Sequence, residues 1–296
     1  LFTLPCTLYW FYEWMPYAVF LNLIVIPLVP VVFLSGAAGM LTGGVSVAAG
    51  MFLAGASAGV LRFFQTLLER TEVLPGSRAV IGQPELWQIA LYYVLVGAAV
   101  WGGRCRARKK NQHRIEVRIF FIIFALCILC LPFHRPVEVT FLDVGQGDAV
   151  FLRTEAGTTC LIDGGSTTVS DVGTYRLLPF LKSRGVSSLD YLFLSHMDAD
   201  HINGAEELLK DQFRGIPIRH LCLSALPGNE TRERLEKEAR LFGTELCYIS
   251  RGTVFREKGA EIRCLSPVKD QKKEDENENS EVLMVEISGL RILFTG

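Results

Sequence analysis

Four apolar stretches, at roughly 17–35, 45–66, 87–102 and 119–133, fill the first half of this 296-residue chain and leave that half few choices. A helix that crosses a bilayer needs about 20 mostly apolar residues, within a range of roughly 17–25. The first two stretches meet that length, and the third and fourth reach it with flanking residues. A secretory signal is excluded, because several stretches follow one another and no small-residue cleavage site stands behind a single one. Leu1–Phe11 reads as the tail of a further helix. With Leu1 where a starting Met would stand, and a last run of Leu293-Phe294-Thr295-Gly296, the sequence reads as a piece of something longer.

Charge separates the two halves. Residues 1–135 carry a net charge of +6 and residues 136–296 a net charge of −7, so the near-neutral total hides a basic, apolar part and an acidic one. One soluble domain is ruled out, and so is a strongly basic nucleic-acid-binding domain. The expected division is 1–135 for a polytopic helical membrane bundle and 136–296 for a separate domain. Seven basic residues between Arg104 and Arg118 mark that connection as cytoplasmic. The fourth span then crosses outward, and residues 136–296 are expected outside the cytoplasm. Pro27 and Pro30 fall inside the first span, where neighbours have to satisfy the freed carbonyls. Gly39/Gly43 and Gly55/Gly59 have the spacing that lets helix backbones approach closely, and the same glycines suit the lining of a transport path.

From Val137 the pattern becomes β-branched and alternating, with short strands at 137–143, 149–153, 159–162 and 189–194, and a helix over 173–184. Just past the strand 189–194 stands His196-Met197-Asp198-Ala199-Asp200-His201, followed by a helix over about 205–210. Imidazoles and carboxylates are the ligands of hydrolytic metal sites. His196 and Asp198 alternate and face one way; Asp200 and His201 fall where the chain turns into the helix and face a neighbouring ion. The spacing suits two ions sharing one loop. Cys127 and Cys130 lie within an apolar span and read as small packing residues. An extracytoplasmic location allows a disulfide among Cys160, Cys222, Cys247 and Cys264, but their spacings match no framework and leave the pairing open. His220, on an apolar strand, reads as structural, as does the charged helix over 230–241. The run Lys269–Glu281 reads as a solvated spacer.

The segment 192–204 resembles the first metal motif of the metallo-β-lactamase superfamily, and nearly the whole chain resembles the ComEC-type competence family. The resemblance is carried by Asn22–Leu28, Phe141–Ala149, Leu161–Gly165, Ser195–His201, and Asn279-Ser280 through Gly296, in that order. It implies an α/β αββα sandwich, here incomplete at its C-terminal side, with metals at one edge. It implies a cell-membrane channel for DNA uptake in transformation, with one strand imported and the other degraded by an extracytoplasmic nuclease. Membrane lipid and other proteins of the uptake machinery are the implied partners. By the family's motif His196 and Asp198 bind the first ion, and Asp200 and His201 the second. Asp200 is the expected catalytic residue, and Asp163 the carboxylate that braces the metal loop. Gln146 and Asp148 either border the site or form a structural turn.

Three departures modify the expectation. The superfamily's second His is Asp198 here, and a carboxylate shifts preference from Zn²⁺ toward Mn²⁺ or Mg²⁺. Two divalent ions are therefore expected, Mn²⁺ ahead of Zn²⁺. No His follows His220, and Asn279 stands about where the next ligand would be. In the family an Asp after Gly296 bridges both ions and a later His completes the site, so residues 1–296 alone are expected to be inactive. Two other functions compete: a channel whose metallo-β-lactamase-like domain only binds or gates, and a membrane-tethered small-molecule metallohydrolase.

Overall fold

Residues 2–104, 112–131, 135–212, 215–269 and 279–296 are described in the computed structural model. They divide into two units, Glu13–Ala79 and Leu1–Tyr12 with Val80–Gly296. Helix α1 (Leu4–Phe11) belongs to the second. The first holds β1 (Glu13–Trp14), α2 (Ala18–Gly43) and α3 (Val47–Glu72), and β2 (Ala79–Val80) begins at its end.

Both long helices have the length and apolar composition to cross a membrane, and 0% and 11% of their apolar windows are buried. Val19, Phe20, Leu23, Phe33, Leu34 and Leu41 of α2 are all exposed, so the helix is apolar all round and not the core of a water-soluble fold. The two helices hold each other through small and hydroxyl residues. A side chain at Gly50 would stand 2.9 Å from the Gly39 carbonyl oxygen and the Gly43 nitrogen. Ser35 and Ser57 share a 2.6 Å hydrogen bond, and Ser57 donates to the Val32 carbonyl at 2.8 Å. Such contacts replace the hydrophobic effect where lipid surrounds a helix. Of the two expected glycine pairs Gly39/Gly43 lies in the contact; among the described residues nothing comes within 4 Å of a Cβ added at Gly55 or Gly59.

In the second unit α4 (Leu86–Arg104) packs beside α5 (Gln112–Cys130). The buried Gln88 joins the start of one to the end of the other: its Nε2 donates to the Ile128 and Leu131 carbonyls at 2.8 and 3.0 Å. The apolar part of α4, Leu86–Trp101, is shorter than the two long helices. Most of the basic connection on which the orientation argument rests, 105–111, lies outside the described residues.

Beyond Arg135 the period-2 pattern builds two sheets. The larger has the order β3 (Glu138–Phe141), β4 (Val150–Arg153), β5 (Thr159–Ile162), β6 (Leu189–Phe193), β7 (Ile218–Ser224) and β8 (Glu245–Ile249). Its first three strands are antiparallel, and β5 through β8 are parallel. A π-helical turn (Gly173–Leu177) leading into α6 (Leu178–Ser183), with α7 (Ala199–Lys210) and α8 (Glu230–Leu241), covers one face. Phe151, Leu161, Leu192, Leu194, Leu209, Leu221 and Leu235 form the core there. On the other face lies an antiparallel sheet of β9 (Val254–Glu257), β10 (Ala260–Ser266), β11 (Val282–Ile287) and β12 (Leu290–Thr295). Val150, Ile162, Phe193, Ile262, Leu283 and Val285 fill the space between the sheets. The domain is thus an α/β sandwich, of which the described residues supply one helical layer and two sheets, in keeping with the fold the resemblance implies. Helix α7 starts six residues earlier than the pattern suggested, because the Asp198 carbonyl accepts the His201 and Ile202 amides at 3.0 and 3.2 Å.

Leucine at position 50 has to push against the α2 backbone, and overpacking of this kind costs roughly 1–3 kcal/mol. Gly50→Leu should lower the melting temperature of the detergent-solubilised protein by several degrees, while Gly55→Leu leaves it unchanged. Equal melting temperatures would refute the packing role of Gly50.

Candidate metal centre

Parallel pairing of β5, β6 and β7 brings three chain crossings to one edge of the sheet, at the strands' carboxyl ends, where open α/β sheets bind ligands. Asp163 follows β5, Ser195–His201 follow β6, and Ala225–Asn229 follow β7, whose last residue is Ser224. The turn 145–148 closes over them. The Asp148 amide donates to the Asp200 carbonyl at 3.2 Å, Gly164 N to the His201 carbonyl at 2.8 Å, and Gly165 N to the Asp148 carbonyl at 3.2 Å. Gly147 (φ 156°) fits because a side chain there would strike the Gly165 and Asp200 carbonyls. The Gly145–Asp148 turn, the Asp163-Gly164-Gly165 loop and the His196–His201 loop are therefore stacked backbone on backbone.

A buried carboxylate organises the side chains. Asp163 Oδ1 accepts the Ser195 amide at 2.8 Å, and Oδ2 accepts the Ser195 hydroxyl at 2.8 Å and His201 Nδ1 at 3.0 Å. Asp163 itself adopts φ 56°, a left-handed conformation that Asp tolerates better than most residues. Ser195 has one proton and donates it to Asp163, so His196 Nδ1, at 3.0 Å from Ser195 Oγ, is the donor in that contact. Each imidazole is thus held through Nδ1, with Nε2 turned outward. His196 Nε2 lies 3.5 Å from Asp198 Oδ2, and His201 Nε2 lies 3.8 Å from Asp148 Oδ2 and 4.0 Å from Asp200 Oδ2. The two rings are 4.0 Å apart between centroids. Burial and the neighbouring His201 hold the His196 imidazole below its ordinary range, against the pull of Asp163, Asp198 and Asp200. Burial also works against charge on His201, but the hydrogen bond and charge of Asp163, with Asp200 and Asp148, outweigh it and raise that group.

Among the described residues no three His, Cys, Asp or Glu side chains converge on one point closely enough to hold a metal ion. The donor chemistry nevertheless fits one. A neutral His196 protonated on Nδ1 presents an Nε2 lone pair to the Asp198 carboxylate, and two acceptors face each other with no proton to share. A cation is the group that satisfies both. The His201–Asp163 contact is the carboxylate–imidazole arrangement that fixes ring orientation in metal-binding histidines. Asp198, Asp200 and Asp148 are solvent-accessible, with side-chain exposures of 51, 38 and 68%.

Beside His196 opens a small cleft of about 60 Å³, lined by Ser195, Ser224, Asn229, Arg232 and Asn279 among others. Asn279 is therefore on the His196 side of the site. Gln146 is exposed at the turn, its backbone held by Thr167 and Thr168. At the back of the site lies Glu281, 1% exposed, whose amide donates to the Ser195 carbonyl at 2.8 Å. Neither of its carboxyl oxygens has a hydrogen-bond partner among the described residues. Burial and then the charge of Asp163 push its carboxyl well above the usual range, against Arg232. The C-terminal end of β12 reaches the same place, since a side chain at Gly296 would strike Ser195 and Ser280.

Residues 142–296, more than half of the chain, match the family model described as the metallo-beta-lactamase superfamily. The chain belongs to the metallo-beta-lactamase superfamily. Residues 1–105 match the model described as competence protein. The chain is homologous to ComE operon protein 3 of Bacillus subtilis (strain 168), 25% identical over 309 residues, which is 99% of this chain and 39% of that protein. Recombination protein 2 of Haemophilus influenzae is 36% identical over 34% of this chain and 13% of its own length. The chain thus spans about two-fifths or less of the relatives it matches. Among solved structures, a Cronobacter sakazakii metallo-beta-lactamase with a HARLDQ motif aligns at 14% identity and a TM-score of 0.37, over 53% of this chain and 58% of its own. Metallo-beta-lactamase membership implies binding of divalent metal.

Sequence reading passed over two groups in this metallo-beta-lactamase edge. Arg232 sits in a helix read as scaffold, yet it is buried beside the cleft with its guanidinium on the Leu226 carbonyl. Glu281 closes a run read as solvated spacer, of which 270–278 lie outside the described residues. The period-2 pattern of β11 carries the missed signal: Leu283, Val285 and Ile287 are buried, and Glu281 is next on that face. A carboxyl raised in the folded state ionises first in the unfolded chain, so its burden on stability grows as pH rises above the unfolded value. In the presence of chelator, Glu281→Gln should therefore melt higher than wild type, with a gap that widens from about pH 5 to about pH 8. A gap independent of pH would show that Glu281 is not a buried neutral acid.

Proposed function

We propose that this chain is part of a multi-pass cell-membrane protein of DNA uptake, with residues 1–135 in the membrane part and residues 136–296 as an extracytoplasmic metal-dependent phosphodiesterase. Its substrate in this reading is the DNA strand that is not imported. The observation that carries the reading is the pair of imidazoles pinned through Nδ1 by Ser195 and Asp163, each with Nε2 turned to exposed carboxylates. The competence-protein match of residues 1–105, the homology to ComE operon protein 3 and the two membrane-length helices support the setting. The basic connection 104–118 supports the orientation.

His196 and Asp198 would hold one divalent ion, and His201 and Asp200 the other, with Asp148 close enough to assist. When bound, such ions supply Lewis acidity to a phosphodiester and neutralise charge on its oxygens. The protein's own part is positional. Asp163 fixes the His201 ring and tautomer, and Ser195 does the same for His196. Asp200, partly exposed beside both rings, is the carboxylate placed to take a proton from water. Arg232 and Asn279, in the cleft beside His196, are placed to receive a phosphate or sugar. Oxygen-rich ligation makes Mn²⁺ the better fit than Zn²⁺.

A second reading, a domain that binds or gates without cleaving, draws on the absence of a converged three-donor group among the described residues. One assay separates the two. In the full-length protein, with single- and double-stranded DNA as substrates, cleavage is expected with Mn²⁺ and to a lesser degree with Zn²⁺. Asp200→Ala and His201→Ala should each lower it at least about 100-fold, a loss of roughly 2.7 kcal/mol in transition-state stabilisation. Cleavage unchanged in both variants removes the loop from the chemistry. Metal binding without cleavage in wild type favours the gating domain.

A further inference from the structure

Strands β7 and β8 run parallel, and their register sets Cys222 opposite Cys247. Both residues face the second sheet. Cys222 lies within the core between the sheets, fully buried, and Cys247 packs at its margin, half-buried on the edge strand. Neighbouring strands stand about 4.8 Å apart, inside the roughly 4.4–6.8 Å between Cα atoms that a disulfide spans. His220 precedes Cys222 by two residues and shares its face. Its Nδ1 lies 4.0 Å from Cys247 Sγ and 3.3 Å from Glu245 Oε2, and its ring stacks on Tyr191 with centroids 4.9 Å apart. The neighbouring Cys222 thiol draws the Cys247 thiol below its ordinary range despite partial burial, and His220 adds to the effect. The same contact, then burial, raises Cys222. Burial, with carboxylates nearby adding to it, raises both Cys160 and Cys264.

We propose that Cys222 and Cys247 form a redox-sensitive dithiol whose oxidant is a low-molecular-weight disulfide, with Cys247 attacking and Cys222 resolving. A half-exposed thiol beside an imidazole and a buried partner thiol is the arrangement of redox-reactive cysteine pairs. Cys247, as thiolate, attacks one sulfur of the disulfide R–S–S–R, forming Cys247–S–S–R and releasing R–S⁻. Cys222 then loses its proton and attacks Cys247 Sγ, closing the Cys222–Cys247 bond and releasing the second R–S⁻. The two protons of the dithiol end on the two released thiols, the dithiol is oxidised and R–S–S–R is reduced. Cys222 lies two residues before Ser224, so closure would tie the β7 end that walls the cleft beside His196 to the edge strand.

The test is peptide mapping of the full-length protein after incubation with glutathione disulfide. A linked Cys222–Cys247 peptide, lost on reduction, is expected, with Cys160 and Cys264 left as free thiols. Cys222→Ser should instead accumulate a stable glutathione adduct on Cys247, and Cys247→Ser should leave Cys222 unmodified. In wild type, Cys247 alkylation should reach half its maximal rate at a lower pH than an ordinary thiol's. Free thiols at both positions, or a glutathione adduct on Cys247 that never closes, would overturn the proposal, and so would a Cys247 that alkylates with an ordinary thiol's pH profile. The wild-type map decides even where a variant does not fold.

Discussion

One buried carboxylate sets the geometry of the candidate centre. Asp163 accepts three hydrogen bonds, two from Ser195 and one from His201 Nδ1. It stands at the end of one parallel strand and binds the first residues past the next. A carboxylate can sit 4% exposed only when its oxygens are satisfied. The same bonds fix which nitrogen of each imidazole carries a proton. Through that choice a buried interaction decides what the exposed edge presents: two Nε2 lone-pair positions facing a rim of Asp148, Asp198 and Asp200.

The two halves of the chain solve opposite solvation problems. In the unit Glu13–Ala79 the helices turn apolar side chains outward and use Gly39, Gly43, Gly50, Ser35 and Ser57 to find each other. In the sandwich apolar side chains turn inward on both faces of the larger sheet, and the polar residues gather at one edge. Backbone closeness recurs there for a different end. Gly147 and Gly165 let three loops stack so that residues from 146 to 201 share one surface.

Part of this was legible in the sequence because it rests on local patterns. Alternating and apolar runs placed β3 to β6, hydrophobic length placed α2 and α3, and the cluster from His196 to His201 drew attention at once. Other features depend on what a residue meets across the fold. Gly55 and Gly59 have the spacing of Gly39 and Gly43 but meet no partner backbone among the described residues, and spacing alone does not tell them apart. Arg232 reads as one more charge on an amphipathic helix until β7 brings Leu226 beneath it. Cys222 and Cys247 lie far apart in sequence, and only the β7–β8 register pairs them. Glu281 was within reach, since the alternation of β11 extends to it, but the acidic run before it concealed the pattern.

The most direct measurement is the metal affinity of the full-length protein with Asp163→Asn. The amide keeps the size of the carboxylate and can still accept the Ser195 amide. Its NH₂ cannot accept from His201 Nδ1, so the imidazole is driven to the other tautomer and its Nε2 lone pair is lost to a metal. Titration with Mn²⁺ should show affinity reduced by about 10–100-fold while the protein remains folded. Equal Mn²⁺ affinity in wild type and Asp163→Asn would contradict the claim that Asp163 makes this edge a metal centre.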